Sequence, residues 1–216
     1  DEIVIFSDVC LCTGTDHGHC GVLVGEKIAN DESVKELVKI ALSNADAGAD
    51  YVSLSDMMDN RVGQVRNALE ERGHHETGIL SYSVKYASSF YGPFRGAASS
   101  SPKSGDRKSH QMDIRSGYEE AILEALQDEK EGADIIMIKP GLPYLDVLKT
   151  VSDEVLRPVA VYNVSGEYSM VHKGSSNREN RGQMIVEILS SFARSGADII
   201  VTYHAREVFT EKLMGQ

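Results

Sequence analysis

The sequence predicts an α/β fold built on a parallel sheet, with weak repetition of a β/α unit. Three observations carry that reading. Short β-branched apolar runs alternate with helical patterns along the 216 residues, as in strands joined by helical crossovers. The runs are nearly continuous in hydrophobicity, as strands covered on both faces are. One phrase also recurs: Gly48-Ala49-Asp50, Gly132-Ala133-Asp134 and Gly196-Ala197-Asp198 each follow a helical pattern and lead into an apolar run. The glycine stands where a helix end takes a left-handed residue. Gly132 and Gly196 are separated by about two units of ~31 residues, and Gly48 and Gly132 by two units plus a long loop.

Taken in order, the first strand is expected over 2–8 (EIVIFSD), followed by a helix over 31–46 and a strand over 50–55. A helix over 59–72 leads to a strand over 78–84 (GILSYSV), and a helix over 116–131 to a strand over 134–139. A helix over 144–153 precedes the strand 158–164 (PVAVYNV), and a helix over 178–194 precedes the strand 198–203. Another turn or two of helix follows Glu207. Segments 95–112 and 166–177 carry no regular pattern and read as long loops of the kind that cover functional sites. The chain reads as one domain. It opens on Asp1 and enters a strand-like run at once, which suggests a piece of a longer chain.

Hydrophobic residues at 41% and charged residues at 25% exclude a disordered chain. A net charge of −11 argues against a nucleic-acid partner. No apolar run reaches the ~18 residues of a membrane span, and no basic-then-apolar leader opens the chain. Three cysteines do not suggest a disulfide scaffold.

The strands end in polar clusters: Asp8-Val9-Cys10, Ser55-Asp56, Tyr82-Ser83-Val84-Lys85, Lys139-Pro140, Tyr162-Asn163-Val164-Ser165 and Thr202-Tyr203-His204. The C-terminal strand edge carries the active site in parallel α/β folds, so these endings predict one polar mouth. Cys10, Cys12 and Cys20, with His17 and His19 nearby, suit a soft or borderline cation such as zinc. Three incidental thiols, or a structural site using one histidine, are the alternatives. Lys85 and Lys139 each close a strand at a dry cavity. Lost hydration and a neighbouring ammonium should lower the pKa of one or both, which makes them a candidate Schiff-base pair. Between 85 and 111, Lys85, Arg95, Lys103, Arg107 and Lys108 face only Asp106, a basic focus suited to an anionic ligand. Glu119, Glu120, Glu124, Asp128, Glu129 and Glu131 read as the solvated face of one helix.

The motifs DVCLC…HGHCG, SDMMDNRV, SYSVKYASSFYGPFR, SPKSGDRKSHQMD, EGADIIMIKPGLPYLD, AVYNVSGEYSM and GADIIVTY run in order through essentially the whole chain. Together they resemble the delta-aminolevulinic acid dehydratase (porphobilinogen synthase) family, several of them over more than ten residues. The resemblance implies a TIM-type (β/α)8 barrel, of which about six β/α units are present here. It also implies condensation of two molecules of 5-aminolevulinate to porphobilinogen in tetrapyrrole (heme) biosynthesis.

By that resemblance, Lys139 holds the propionate-side substrate as a Schiff base and Lys85 the acetate-side one. Tyr162, Ser165 and Tyr203 surround the first substrate. Arg95, Arg107 and Gln111, beside Tyr91, grip the second carboxylate, and Asp8 and Ser55 line the same cavity. Cys10, Cys12 and Cys20 correspond to the zinc ligands, and Glu124 to an allosteric magnesium position of some members. The family also implies a homo-oligomer, an octamer in many members, in the cytoplasm or in plastids. Thr13-Gly14 departs from the residue-plus-Tyr usual after the second cysteine. A catalytically incompetent fragment or interaction module, and a class I aldolase-like Schiff-base enzyme, are the competing readings.

Overall fold

The computed structural model describes residues 3–97 and 107–215. Strand β1 (Phe6–Val9) is followed by a small hairpin, β2 (Leu23–Val24) and β3 (Lys27–Ile28), then α1 (Asn30–Asp46) and β4 (Tyr51–Leu54). Next come α2 (Arg61–Arg72), β5 (Gly78–Lys85), α3 (Gly92–Ala97), α4 (Tyr118–Glu131) and β6 (Ile135–Lys139). The remaining elements are α5 (Leu145–Glu154), β7 (Val159–Asn163), α6 (Ser165–Gly174), α7 (Arg178–Arg194), β8 (Ile199–Thr202) and α8 (Ala205–Glu211). Six strands form one parallel sheet in the order β1-β4-β5-β6-β7-β8, each beside its chain neighbour. The sheet curls into a partial barrel with helices on its outer face. No helix among the described residues is long and apolar enough to cross a membrane.

Alternation along the strands sorts the core into two layers. Leu80, Tyr82, Ile135, Met137 and Ala160 pack together on the inner face, joined by Ile199 and Val201. Val52, Leu54, Ile79, Ile136, Ile138, Val159 and Val161 face outward against Leu37, Val65, Leu69, Leu148, Ile185 and Phe192 of the helices.

The recurring Gly-Ala-Asp phrase has a structural role at both ends. Gly48, Gly132 and Gly196 take φ values of +94°, +106° and +98°, which L side chains rarely adopt. Each aspartate then clamps one residue from both sides, in the neighbouring strand for Asp134 and Asp198 and just before it for Asp50. Asp50 donates its N–H to the carbonyl of Ile5 at 3.1 Å and accepts the Ile5 N–H on Oδ2 at 2.7 Å. Asp134 does the same to Ile79 (2.9 and 2.8 Å), and Asp198 to Val159 (2.8 and 2.9 Å).

Four expectations need correction. The first strand begins at Phe6, because Ile3, Val4 and Ile5 are exposed and outside the sheet ladder. Segment 166–177 is not a loop: α6 covers most of it. Glu167, three residues into the helix, accepts the Val164 N–H at 2.5 Å, and Val171 packs into the core. The β2–β3 hairpin and α3 have no counterpart among the expected elements. Finally, α4 is not solvated along its whole acidic face, since Asp128 is buried against Arg61.

Candidate active site

The C-terminal strand ends converge on a cavity of about 370 Å³, within the range of small-molecule sites. Asp8, Ser55, Lys85, Tyr91, Arg95, Arg107, Lys139, Tyr162, Ser165 and Tyr203 all line it, with Cys10 and Cys12 at one side.

Lys85 and Lys139 are direct partners across the β5–β6 ladder, so their side chains leave the same face of the sheet one strand spacing apart. Lys85 reaches that face through an irregularity. β5 advances three residues from Ser81 to Val84 while β6 advances two from Ile136 to Ile138. Leu80 and Tyr82 line the cavity, and simple alternation would bring Val84 in next. The extra residue instead sends Val84 into the outer core and turns Lys85 inward.

Arg61, 2% exposed, holds the back of this bulge. Its Nη2 donates to the Tyr82 carbonyl at 3.4 Å and to Ser81 Oγ at 3.0 Å. Asp128 at 3.3 Å and Asp56 at 3.6 Å balance its charge. Lys85 Nζ donates to the Ser55 carbonyl, on the residue next to Asp56.

Lys139 Nζ sits among tyrosine rings, 4.2 Å from the Tyr162 centroid, 5.0 Å from Tyr82 and 5.4 Å from Tyr91. Burial, then the charge of Lys85, pulls its pKa from 10.5 to about 7. Burial drives the Tyr82 and Tyr91 phenols well above their ordinary range, so both remain proton donors. Tyr91 donates to the carbonyls of Tyr86 (2.8 Å) and Lys139 (3.2 Å).

Glu167 anchors the segment after Lys139. Its Oε1 accepts the N–H groups of Gly141 (3.1 Å) and Leu142 (2.6 Å); its Oε2 accepts those of Asn163 Nδ2 and Val164. Burial still pushes its carboxyl up to about 6, against all four bonds. The preceding residue, Gly166, has no room for a side chain, since a Cβ would lie 2.5 Å from the Phe90 carbonyl oxygen. Ser165 Oγ accepts the Phe94 N–H at 3.0 Å.

Cys10, Cys12 and Cys20 bring their sulfurs within 4.8 Å of one another, Cys10 and Cys12 at 3.3 Å. The contact with Cys12 favours a Cys10 thiolate, but the contact with Cys20 and burial outweigh it and push Cys10 up to about 12. Three clustered thiols ionise together only around a cation. A tetrahedral site with metal–sulfur bonds near 2.3 Å needs sulfurs about 3.8 Å apart, close to what is present. His17 and His19 do not join the cluster; His17 Nδ1 accepts the His19 N–H at 3.1 Å.

Arg95 and Arg107 form the cationic edge. Arg95 lies 5.2 Å from the Tyr91 ring, and Arg107 Nη2 donates to the Gly18 carbonyl at 2.8 Å. Burial, then the charge of Arg107, lowers the Arg95 pKa, the condition an anionic ligand relieves. Gln111 is buried below this edge and does not line the cavity. The next residue, Met112, donates its N–H to the Lys85 carbonyl at 3.0 Å and ties the segment to β5. Lys108 is exposed outside the cavity, and Lys103 lies outside the described residues. Glu124 sits on α4 away from the cavity, with its carboxyl pushed up by burial and then by Asp128. His204 turns from the mouth.

Sequence reasoning placed Tyr82 at the mouth but missed two buried residues, Arg61 and Glu167. Only Glu167 carried a signal, its place three residues past a helix start.

A family model described as Delta-aminolevulinic acid dehydratase matches residues 1–211. The delta-aminolevulinic acid dehydratase of Methanothermus sociabilis is 51% identical over 210 residues, covering 97% of this chain and 65% of that protein. The Helicobacter pylori enzyme of the same name is 48% identical over 208 residues, covering 96% and 64%. The chain thus spans about 65% of the length of these relatives. A crystal structure of the Toxoplasma gondii delta-aminolevulinic acid dehydratase, in complex with the reaction product porphobilinogen, superposes with a TM-score of 0.92 at 46% identity. It covers 97% of this chain and 60% of that one.

Proposed function

The chain belongs to the delta-aminolevulinic acid dehydratase family, and from that premise we propose that it carries the condensing site of a porphobilinogen synthase. The reaction joins two molecules of 5-aminolevulinate with loss of water. The observation that carries this reading is the pair Lys85 and Lys139, ladder partners opening into one cavity. Two ketone substrates need two amine nucleophiles. A single-lysine, aldolase-like reading leaves Lys85 and the cysteine cluster without a role.

Lys139, neutral in a large fraction near pH 7, attacks the ketone carbon of the first substrate and releases water as the imine forms. Tyr162, Ser165 and Tyr203 hold that substrate, and Lys85 forms the matching imine with the second. Arg95 and Arg107 grip the second carboxylate with Tyr91 beside them, Gln111 joins them only if its buried amide turns toward the cavity, and Asp8 and Ser55 complete the polar wall. The tyrosine rings around Lys139 would limit access of water that hydrolyses an imine there. Cys10, Cys12 and Cys20 would hold zinc, which supplies Lewis acidity toward the second substrate when bound. Glu124 is a candidate ligand for a magnesium ion outside the cavity.

We take residues 1–216 as one catalytic unit of a β/α barrel that acts as a homo-oligomer, in the cytoplasm or a plastid. The rice and barley relatives are described as chloroplastic. The acidic balance argues against a nucleic-acid partner.

Borohydride added with 5-aminolevulinate should leave reduced adducts on Lys139 and Lys85, located by peptide mass spectrometry. A folded sample with neither lysine modified overturns the Schiff-base reading. Pyrrole formation from 5-aminolevulinate distinguishes an active chain from an incompetent fragment.

A further inference from the structure

We propose that His172, His204 and Glu207 form a second metal site, for a divalent cation of the zinc class, between α6 and the start of α8. One donor atom of each residue lies within 4.8 Å of the other two. His204 and Glu207 are one helical turn apart, with Nδ1 and Oε2 at 3.9 Å, and the His172 and His204 rings lie parallel at 5.5 Å.

A second observation is independent of this clustering. His204 is 1% exposed, and neither ring nitrogen has a hydrogen-bond partner. A buried imidazole left this way loses its hydration without compensation. A cation between the three groups would satisfy one nitrogen and use the carboxylate as counter-charge.

The surroundings suit that role. Glu207 Oε1 accepts from Arg181 Nε at 2.7 Å, which orients the carboxylate and leaves Oε2 toward the histidines. The Tyr168 ring packs 4.6 Å from His204 and 4.3 Å from His172, limiting how the imidazoles turn. His172 is exposed, so it can swing inward without disturbing the core.

Two imidazole nitrogens and one carboxylate oxygen form a borderline donor set, matched to zinc rather than to magnesium or calcium, with a fourth position for water. It differs in kind from the thiol cluster. The ion would join α6, which begins at the cavity-lining Ser165, to the β8 exit that carries Tyr203.

Titration of the folded protein with Co2+ alone tests this. The wild type should take up two ions. One shows a thiolate-to-cobalt charge-transfer band that Cys12→Ser abolishes; the other lacks that band. His172→Ala, an exposed change, and Glu207→Gln should each weaken the second ion by about tenfold or more and leave the charge-transfer band intact. Competition by Zn2+ in calorimetry should follow the same order. Uptake of only the thiolate-bound ion by the wild type overturns the proposal, as does a second ion held equally well by both variants.

Discussion

Lys139 is tuned by what surrounds it. Its pKa near 7 comes first from burial among aromatic rings and then from Lys85. Adduct formation at Lys139 with 5-aminolevulinate and borohydride should therefore rise between about pH 6 and pH 8 and then level off. A rate that stays flat there and climbs only toward pH 10 would contradict a free amine near neutrality. The same shift acts on stability. The folded pKa lies below the unfolded one, so the unfolded chain binds more protons between about 7 and 10.5, and this residue's contribution rises with pH across that window. Glu167 has the opposite sign. Raised from 4.5 to about 6, it contributes stability below 4.5 that is lost as pH climbs through about 6.

The elements are positioned by a few polar devices as well as by apolar faces. Each Gly-Ala-Asp phrase ends a helix and then fixes a strand pair, β1 with β4, β5 with β6 and β7 with β8. Asp134→Ala should lower stability by about 1–2 kcal/mol in urea denaturation, because the Ile79 N–H loses its acceptor. Asp134→Asn should recover part of that loss, since its amide oxygen still accepts. Equal losses in the two variants would mean the carboxylate matters for another reason. Recurrence made the phrase visible in the sequence, and its glycine read correctly as a helix end. The clamp did not, because its partners lie 45, 55 and 39 residues away along the chain. The bulge in β5 was hidden for a similar reason: it exists only in the pairing with β6.

Across the whole molecule, sheet curvature gathers residues from six strand ends into one cavity. A chain of net charge −11 there presents Lys85, Lys139, Arg95 and Arg107 to a ligand. The cysteine loop joins this assembly from the end of β1, while the main core lies between sheet and helices. Metal removal should accordingly cost activity and not the fold. Dialysis against a chelator should abolish pyrrole formation, leave the far-ultraviolet circular dichroism unchanged and be reversed by Zn2+. Turnover indifferent to the chelator would sink the zinc assignment.

The sequence by itself determined the alternation of strands and helices, the helix-ending glycines and the polar strand endings that meet in one cavity. These depend on backbone preferences and side-chain periodicity, which act over a few residues. The tertiary structure alone decided which face Lys85 leaves, that Arg61 and Asp128 are buried together, that Glu167 holds the segment after Lys139, and that His204 meets His172 instead of the cavity. Each depends on hydrogen bonds or packing between residues far apart in the chain, where the energy of a side chain is set by neighbours that local pattern does not record.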